Sequence, residues 1–206
     1  MSRAYADLAF TPTVRATQTQ MGSRQLYAPL DQTEDRRDAL GAAEADFIAA
    51  CDGFYQATVS ESGWPYVQFR GGPAGFLRVL DERTVAYADF RGNRQYISTG
   101  NLRGNDRVSI ILMDYARQRR LKLLGRLSVT DWVAHDPQAT QLLEPGYRAR
   151  PQRVMTIKVE GFDWNCPQHI PVRIDAEDVQ RALNERDARI KALEAQLAAQ
   201  PRPAPD

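Results

Sequence analysis

Residues 87–102 read YADFRGNRQYISTGNL, in which a strand-like run gives way at once to a helix-like run. The corner between the two runs is Arg91-Gly92-Asn93-Arg94. A turn needs Gly or Asn but no arginine, so the two arginines are either solvated or hold an anion. Asn93 can cap a helix over residues 93–102, whose first N–H groups and positive dipole end would point at the corner. Arginine forks suit phosphate oxygens, and the corner therefore predicts an anion site.

Around this corner, residues 53–162 consist of short β-branched and aromatic runs separated by tight turns, a pattern typical of strands. We expect about six strands with few helices between them, which indicates an antiparallel barrel rather than βαβ units. One strand ends in Arg70-Gly71-Gly72. Its glycines would let the backbone approach a flat ligand closely; a plain loop is the alternative.

The first 30 residues are polar and interrupted by Pro12 and Pro29, which predicts an extended arm that packs on another surface. Asp31 and Glu34 then fit a capping box. Apolar residues at helical spacing follow, so we expect one helix from Asp31 to about Cys51.

The last part of the chain differs from the strand region. Asp175 can cap a helix over residues 175–200, with a tail at 201–206 that its prolines predict to be disordered. The apolar positions of this helix follow the 4-3-4-3-4 spacing of a heptad seam, with Arg186 in one place: Val179, Leu183, Ile190, Leu193 and Leu197. The seam would pack either on the barrel of its own chain or on the same helix of a second copy.

The composition excludes several classes of protein. The net charge of +1, from 27 basic and 26 acidic residues, argues against non-specific binding to nucleic acid or to acidic membranes. Two cysteines make no disulfide framework, no apolar stretch approaches the ~18 residues of a membrane span, and the N-terminus lacks an apolar signal core. We therefore expect a soluble protein of the cytoplasm.

Few side chains in this sequence suit catalysis without a cofactor. There are two histidines, His135 and His169, and neither a G-x-S-x-G, an H-E-x-x-H, a Walker nor a G-x-G-x-x-G motif occurs. Cys166 and His169 have C-x-x-H spacing, but a metal site needs two more ligands, so no metal is predicted. A basic run at 117–122 places Arg120 and Lys122 on one strand face, as a ligand contact or as a solvated edge.

The order of these elements resembles the flavin-binding split-barrel family typified by pyridoxamine 5'-phosphate oxidase. Tyr87-Ala88-Asp89-Phe90 is similar to a strand of that family, Gly92-Asn93-Arg94-Gln95 to the corner that opens a helix, and residues 119–125 to a later strand. Trp164 and Arg173 resemble a late Trp and Arg of the family oxidases. The N-terminal FTPTVRATQTQMGSR and the late DWNCPQHIPVR resemble a bacterial subgroup of flavin-nucleotide-binding proteins whose substrate is open.

The resemblance implies a mainly β fold with peripheral helices, a six-stranded antiparallel split β-barrel over residues 31–174. The long C-terminal helix predicted from the heptad spacing is not part of the family core. The resemblance also implies a homodimer with FMN at the subunit interface. Arg70, Asn93 and Arg94 would hold the phosphate, and Arg120 and Trp164 would come from the partner subunit. The full implied set of cofactor contacts is Arg70, Gly71, Tyr87, Ala88, Asp89, Asn93, Arg94, Gln95, Arg120, Trp164, Gln168 and His169.

The implied function is FMN binding by a flavin-dependent oxidoreductase of unknown substrate. The alternative is a non-catalytic module that binds a flavin or another planar cofactor, such as haem or a deazaflavin. Two positions depart from the oxidases: Gln95 stands in the place of a basic residue and Arg120 in the place of a Gln. Arg91 is an extra residue relative to the family corner.

Overall fold

The computed structural model describes residues 1–164 and 166–199. Within them the helices are α1 (Arg3–Ala9), α2 (Pro12–Gln20), α3 (Arg24–Gln32), α4 (Ala42–Ala50), α5 (Ile97–Gly104), α6 (Pro137–Thr140) and α7 (Ala176–Ala198). The strands are β1 (Gly53–Val59), β2 (Pro65–Gly71), β3 (Arg78–Asp81), β4 (Thr84–Phe90), β5 (Arg107–Asp114), β6 (Arg119–Asp131) and β7 (Pro151–Trp164).

The strands form one antiparallel sheet in the order β2-β1-β5-β6-β7-β4-β3, which confirms the predicted mainly β class. The described residues contain seven strands where about six were expected, and the four-residue β3 pairs with β4 across a tight turn. The sheet is not closed by hydrogen bonds, since β2 and β3 remain its edges. It nevertheless curls, and Arg70 of β2 reaches Asp89 of β4 at 2.7 Å.

The core lies inside this curled sheet. Alternate residues of β5 and β6 point inward and are buried, as the two-residue period of a strand requires. The buried residues Phe54, Phe76 and Tyr87 pack ring against ring, with centroids 5.3–6.4 Å apart. The Tyr87 hydroxyl donates to Gln56 Oε1 at 2.7 Å, and burial raises the pKa of Tyr87, so the phenol stays a neutral donor.

The prediction of an extended N-terminal arm is wrong, because residues 3–32 form three helices. The Ser2 side chain accepts from the N–H of Tyr5 and starts α1. The Thr11 side chain accepts from the N–H of Val14 and starts α2. Pro12 therefore occupies the first position of a helix, where its missing N–H costs nothing.

A single helix from Asp31 to Cys51 is also wrong. The α3 helix ends at Gln32, and α4 begins at Ala42. The carboxylate of Asp31 accepts from Arg15 at 2.8 Å and from Arg24, so it is not available as a cap. The capping carboxylate is instead that of Glu44, which accepts the N–H of Gly41 at 2.9 Å.

The long C-terminal helix is confirmed as α7, which spans 23 residues and buries none of them. Asp175 stands at its N-cap position without a side-chain capping bond. The structure therefore does not pack the heptad seam on the barrel of its own chain. The predicted tail at 201–206 lies outside the described residues. No helix in the part of the chain that the structure describes has the length and apolarity needed to cross a membrane.

The two cysteines are expected to differ sharply in reactivity. Cys51 is buried at the end of α4, whereas Cys166 is exposed. Burial, with Asp114 and Asp52 nearby, raises the pKa of Cys51 to about 12. Because the thiolate is the nucleophile, iodoacetamide at about pH 8 should label Cys166 and spare Cys51 in the native protein. Peptide mass spectrometry reads both sites, denatured protein provides the control, and equal native labelling would contradict the burial of Cys51.

Candidate functional site

Residues 92–96 of the corner form one wall of a pocket of about 190 Å³. The helix after the corner begins at Ile97, with Tyr96 at the N-cap position, so the prediction that Asn93 caps the helix is wrong. The Asn93 side chain instead accepts from the N–H of Gln95 at 3.2 Å, which makes a local turn. The helix start still faces the pocket, because residues 96–99 line it.

Three arginines line this pocket, against one carboxylate. Arg70 donates to Asp89 Oδ1 at 2.7 Å, and Arg153 Nε donates to Asp89 Oδ2 at 2.8 Å. The side chain of Asp89 is 3% exposed, and those of Arg70 and Arg153 are 15% and 16% exposed. Arg94 is exposed at the rim and makes no ion pair among the described residues. The pocket therefore carries a net positive charge.

The backbone of the corner is strained. Arg94 has φ 61° and Tyr96 has φ 54°, in the left-handed region that residues other than Gly, Asn and Asp seldom adopt. Such conformations cost about 1–3 kcal/mol each and cluster at ligand-binding sites. The guanidinium of Arg153 lies over the ring of Tyr96, 5.1 Å from the ring centroid. A cation–π contact thus links this corner residue to Arg153.

The pocket has two kinds of anion donor. The first N–H groups of α5, at Ile97, Ser98 and Thr99, have no partner inside the helix, and they carry the positive end of its dipole. The guanidinium of Arg70 adds a buried Nε that makes no hydrogen bond within the described residues. Helix N–H groups together with arginine forks are the donors that bind phosphate in proteins.

The predicted cofactor contacts Gly71, Tyr87 and Ala88 lie on β2 and β4, next to residues that line this pocket. Tyr87 and Ala88 are buried, so only their backbone is available to a ligand. The pairing of β3 with β4 ends at Ala86, which leaves residues 87–90 without a strand on that side in the described chain. At Gly71 a Cβ would stand 2.8 Å from the ring of Phe69, so packing within the chain also favours a glycine there.

The other predicted contacts lie elsewhere in the chain. Arg120 and Trp164 stand where β6 begins and β7 ends, and the exposed Gln168 and His169 follow. Val154, the β7 partner of Ala88, lies ten residues before Trp164, about 33 Å along the strand. Trp164 is held by its own chain, since its Nε1 donates to Glu44 at 2.6 Å. The structure thus does not bring these four residues to the corner within one chain.

Sequence reasoning missed several residues of the pocket. The most important is Arg153, which the sheet register places directly opposite Asp89. An Asp and an Arg 64 residues apart give no local signal, so strand pairing alone reveals them. Other missed lining residues are Tyr66, Gln68, Tyr96, Ser98, Thr99 and Gln152. Arg91 is not part of the pocket, because it lines a separate depression beside Trp132 and Arg150.

No group of three or more His, Cys, Asp or Glu residues in the described ranges is arranged to hold a metal ion. His169 is exposed and has φ 66°.

The fold and the pocket define an open antiparallel β-barrel protein with a positively charged pocket at the corner after β4. A family model described as Pyridoxamine 5'-phosphate oxidase matches residues 40–163. The match spans more than half of the 206 residues, and the chain therefore belongs to this family. No curated protein matches the chain.

Two solved structures are similar to this chain. HupZ of Group A Streptococcus is 19% identical with a TM-score of 0.50, and the match covers 66% of this chain and 99% of that one. An FMN-binding protein from Syntrophomonas wolfei is 12% identical with a TM-score of 0.44, and the match covers 75% of this chain and 95% of that one. At these identities the likeness concerns the fold alone.

Proposed function

We propose that this chain binds FMN, with the FMN phosphate in the pocket lined by Arg70, Arg94 and Arg153. Membership of the pyridoxamine 5'-phosphate oxidase family supports a flavin-type cofactor. The observation that carries the choice of a phosphorylated flavin is the excess of three arginines over one buried carboxylate at the start of α5. A terminal phosphate would accept hydrogen bonds both from the N–H groups at the start of α5 and from the guanidinium of Arg94.

The size of the pocket supports a site shared between two subunits. A volume of about 190 Å³ is below the ~300–1,000 Å³ of pockets that enclose a cofactor-sized molecule. The flavin ring would therefore extend beyond the pocket along the unpaired backbone of residues 87–90. A second subunit would cover it, and we propose that Arg120, Trp164, Gln168 and His169 of that subunit complete the site.

The surface that would bring the second subunit is an outer apolar face, made of Tyr55, Val67, Phe69 and Ile111. These residues lie on adjacent strands and on one side of the sheet. Tyr55, Val67 and Phe69 are 40%, 59% and 56% exposed. A contiguous exposed apolar patch of this kind is typical of an interface between subunits. Arg120 stands on the same side of β6, opposite Met113, so symmetric pairing would bring it to the edge of the interface.

Bound FMN would supply two-electron redox chemistry at its ring, and we propose a flavin-dependent oxidoreductase of unknown substrate. The free thiols of Cys51 and Cys166 support a reducing compartment such as the cytoplasm. The visible spectrum of the purified protein tests the cofactor: flavin bands support FMN, and a Soret band would indicate haem instead. Bleaching of the flavin by NADH or NADPH, followed by reoxidation in air, would separate an oxidoreductase from a non-catalytic flavin-binding module.

Arg94→Ala is expected to weaken FMN binding by about 1.5–3 kcal/mol, the value of a charge-assisted hydrogen bond. Riboflavin, which lacks the phosphate, should bind to the variant as it does to the wild type. Quenching of flavin fluorescence measures both affinities. Arg91→Ala is the matched control, because Arg91 belongs to the same corner but not to the pocket. Equal losses for FMN and riboflavin would show that the phosphate binds elsewhere.

A further inference from the structure

The α7 helix carries a surface that the proposed cofactor site does not use. All of its residues are exposed to solvent in the single chain, and its large apolar residues are 41–67% exposed. In heptad notation Leu183, Ile190 and Leu197 take a positions, and Val179 and Leu193 take d positions. Most of the stability of a helix in a protein comes from packing such a face, so this face requires a partner.

We propose that α7 forms a parallel, in-register two-stranded coiled coil with α7 of a second copy of this chain. The helix is 23 residues long, about 35 Å at 1.5 Å per residue, and supplies three successive a layers. One layer pair has Ile190 at a and Leu193 at d, the combination that favours two strands among parallel coils. The proposal does not depend on the identity of the cofactor.

Charges beside the seam select the parallel orientation. Arg189 is at a g position and Glu194 at the following e position, so a parallel coil sets Arg189 against Glu194 of the second copy. In an antiparallel coil the e residues of the two helices face each other instead. The charged e residues, Asp187 and Glu194, are both acidic, so they would repel each other. Neither Arg189 nor Glu194 makes an ion pair within the described residues, whereas Arg181 and Asp178, on the far side, pair at 3.0 Å.

Arg186 fixes the register. It occupies a d position, where an unpaired charge would destabilise the coil. In the parallel in-register coil, a d side chain lies beside the e residue of the facing helix, which here is Asp187 of the second copy. Two symmetric Arg186–Asp187 pairs result, whereas a shift of one heptad would set one Arg186 beside Glu194 and the other beside the uncharged Gln180. A single polar layer of this kind sets register and strand number at a cost in stability.

The start of α7 is continuous with the outer apolar face. Asp175 and Asp178 line the same depression as Tyr55 and Phe69, so the helix leaves the barrel beside the proposed subunit interface. A parallel coil of two identical helices has a two-fold axis along its length, and the paired barrels need an axis of the same order. A single two-fold axis can therefore relate both the two helices and the two barrels. Because of this shared symmetry, a second copy of the chain fits the seam better than an unrelated protein.

Disulfide cross-linking in the full-length protein tests the coil without reference to the barrel. We would make Leu193→Cys in a Cys166→Ser background, leaving the buried Cys51 in place, and equilibrate it in a glutathione buffer. The two d positions face each other only in the parallel in-register coil, within the ~7 Å that a disulfide allows. Disulfide-linked dimer should be the main species. Ala188→Cys, on the opposite side of the helix, is the matched control and should remain monomeric under denaturing electrophoresis.

Charge reversal then tests the orientation. Arg189→Glu should lower the fraction of cross-linked Leu193→Cys protein, and adding Glu194→Arg should restore it. Absence of a cross-link at position 193, equal cross-linking at 188, or failure of the double reversal to restore the yield would each overturn the proposal. A result that contradicts FMN binding, such as equal losses of FMN and riboflavin in Arg94→Ala, would not change the cross-linking yields. The proposal of a coiled coil and the proposal of an FMN site can therefore be refuted independently.

Discussion

Asp89→Ala should lower the free energy of unfolding by about 3–5 kcal/mol, the usual cost of removing one partner from a buried ion pair. The carboxylate of Asp89 neutralises both Arg70 and Arg153, and all three side chains are largely buried. Without it, two guanidinium groups remain close together in a site that is poorly solvated. Chemical denaturation followed by tryptophan fluorescence measures the change.

Asp106→Ala provides the matched control for this prediction. Asp106 pairs with Arg126 at 2.9 Å, but both side chains are about half exposed, so its loss should cost no more than about 1 kcal/mol. Inorganic phosphate should also stabilise Asp89→Ala more than the wild type, because ligand binding to the folded state adds to its stability and the arginines no longer have a competing carboxylate. Equal destabilisation by the two substitutions would mean that the Asp89 network does not support the fold.

Val67→Asp should dissociate the proposed barrel dimer and, with it, release the proposed FMN cofactor. Val67 is 59% exposed in the single chain, so the fold of one subunit should tolerate the change. In the proposed dimer each copy would bury a carboxylate, at several kcal/mol per ion, and about 1.4 kcal/mol is a tenfold change in the dissociation constant. The dimer constant should therefore rise by roughly a hundredfold or more.

The measurement is best made in a chain that ends at Asp175, because a coil of α7 would otherwise hold the two copies together. This chain keeps every residue that the structure shows as buried, since α7 buries none, and we expect it to remain a dimer with FMN. Sedimentation and the retained flavin absorbance are the readouts. Val133→Asp is the matched control, because Val133 is equally exposed, at 60%, and lies outside the outer apolar face. A dimeric Val67→Asp protein that retains FMN would place the interface elsewhere.

The sequence predicted the local features of the candidate site better than its contacts. The strand, the corner and the helix after it all lie near their predicted positions. The signals that predict them, a β-branched and aromatic run followed by Gly92, depend only on residues close together in the sequence. Asn93 was the wrong cap: its side chain bonds to the neighbouring N–H of Gln95, a short-range alternative that pattern alone does not distinguish from a helix cap. Gly71 was linked to a ligand from its position alone, and the structure adds a second reason for a glycine there, the nearby ring of Phe69.

What the sequence by itself determined was the mainly antiparallel β class, the basic corner and the heptad helix, because periodicity and turn chemistry are properties of neighbouring residues. What only the tertiary structure decided was which charges meet. Asp89 contacts Arg70, 19 residues away, and Arg153, 64 residues away. These pairs depend on the sheet register and on the curl that brings β2 to β4. Register is a collective result of packing one face of each strand into the core, so no short stretch of sequence specifies it.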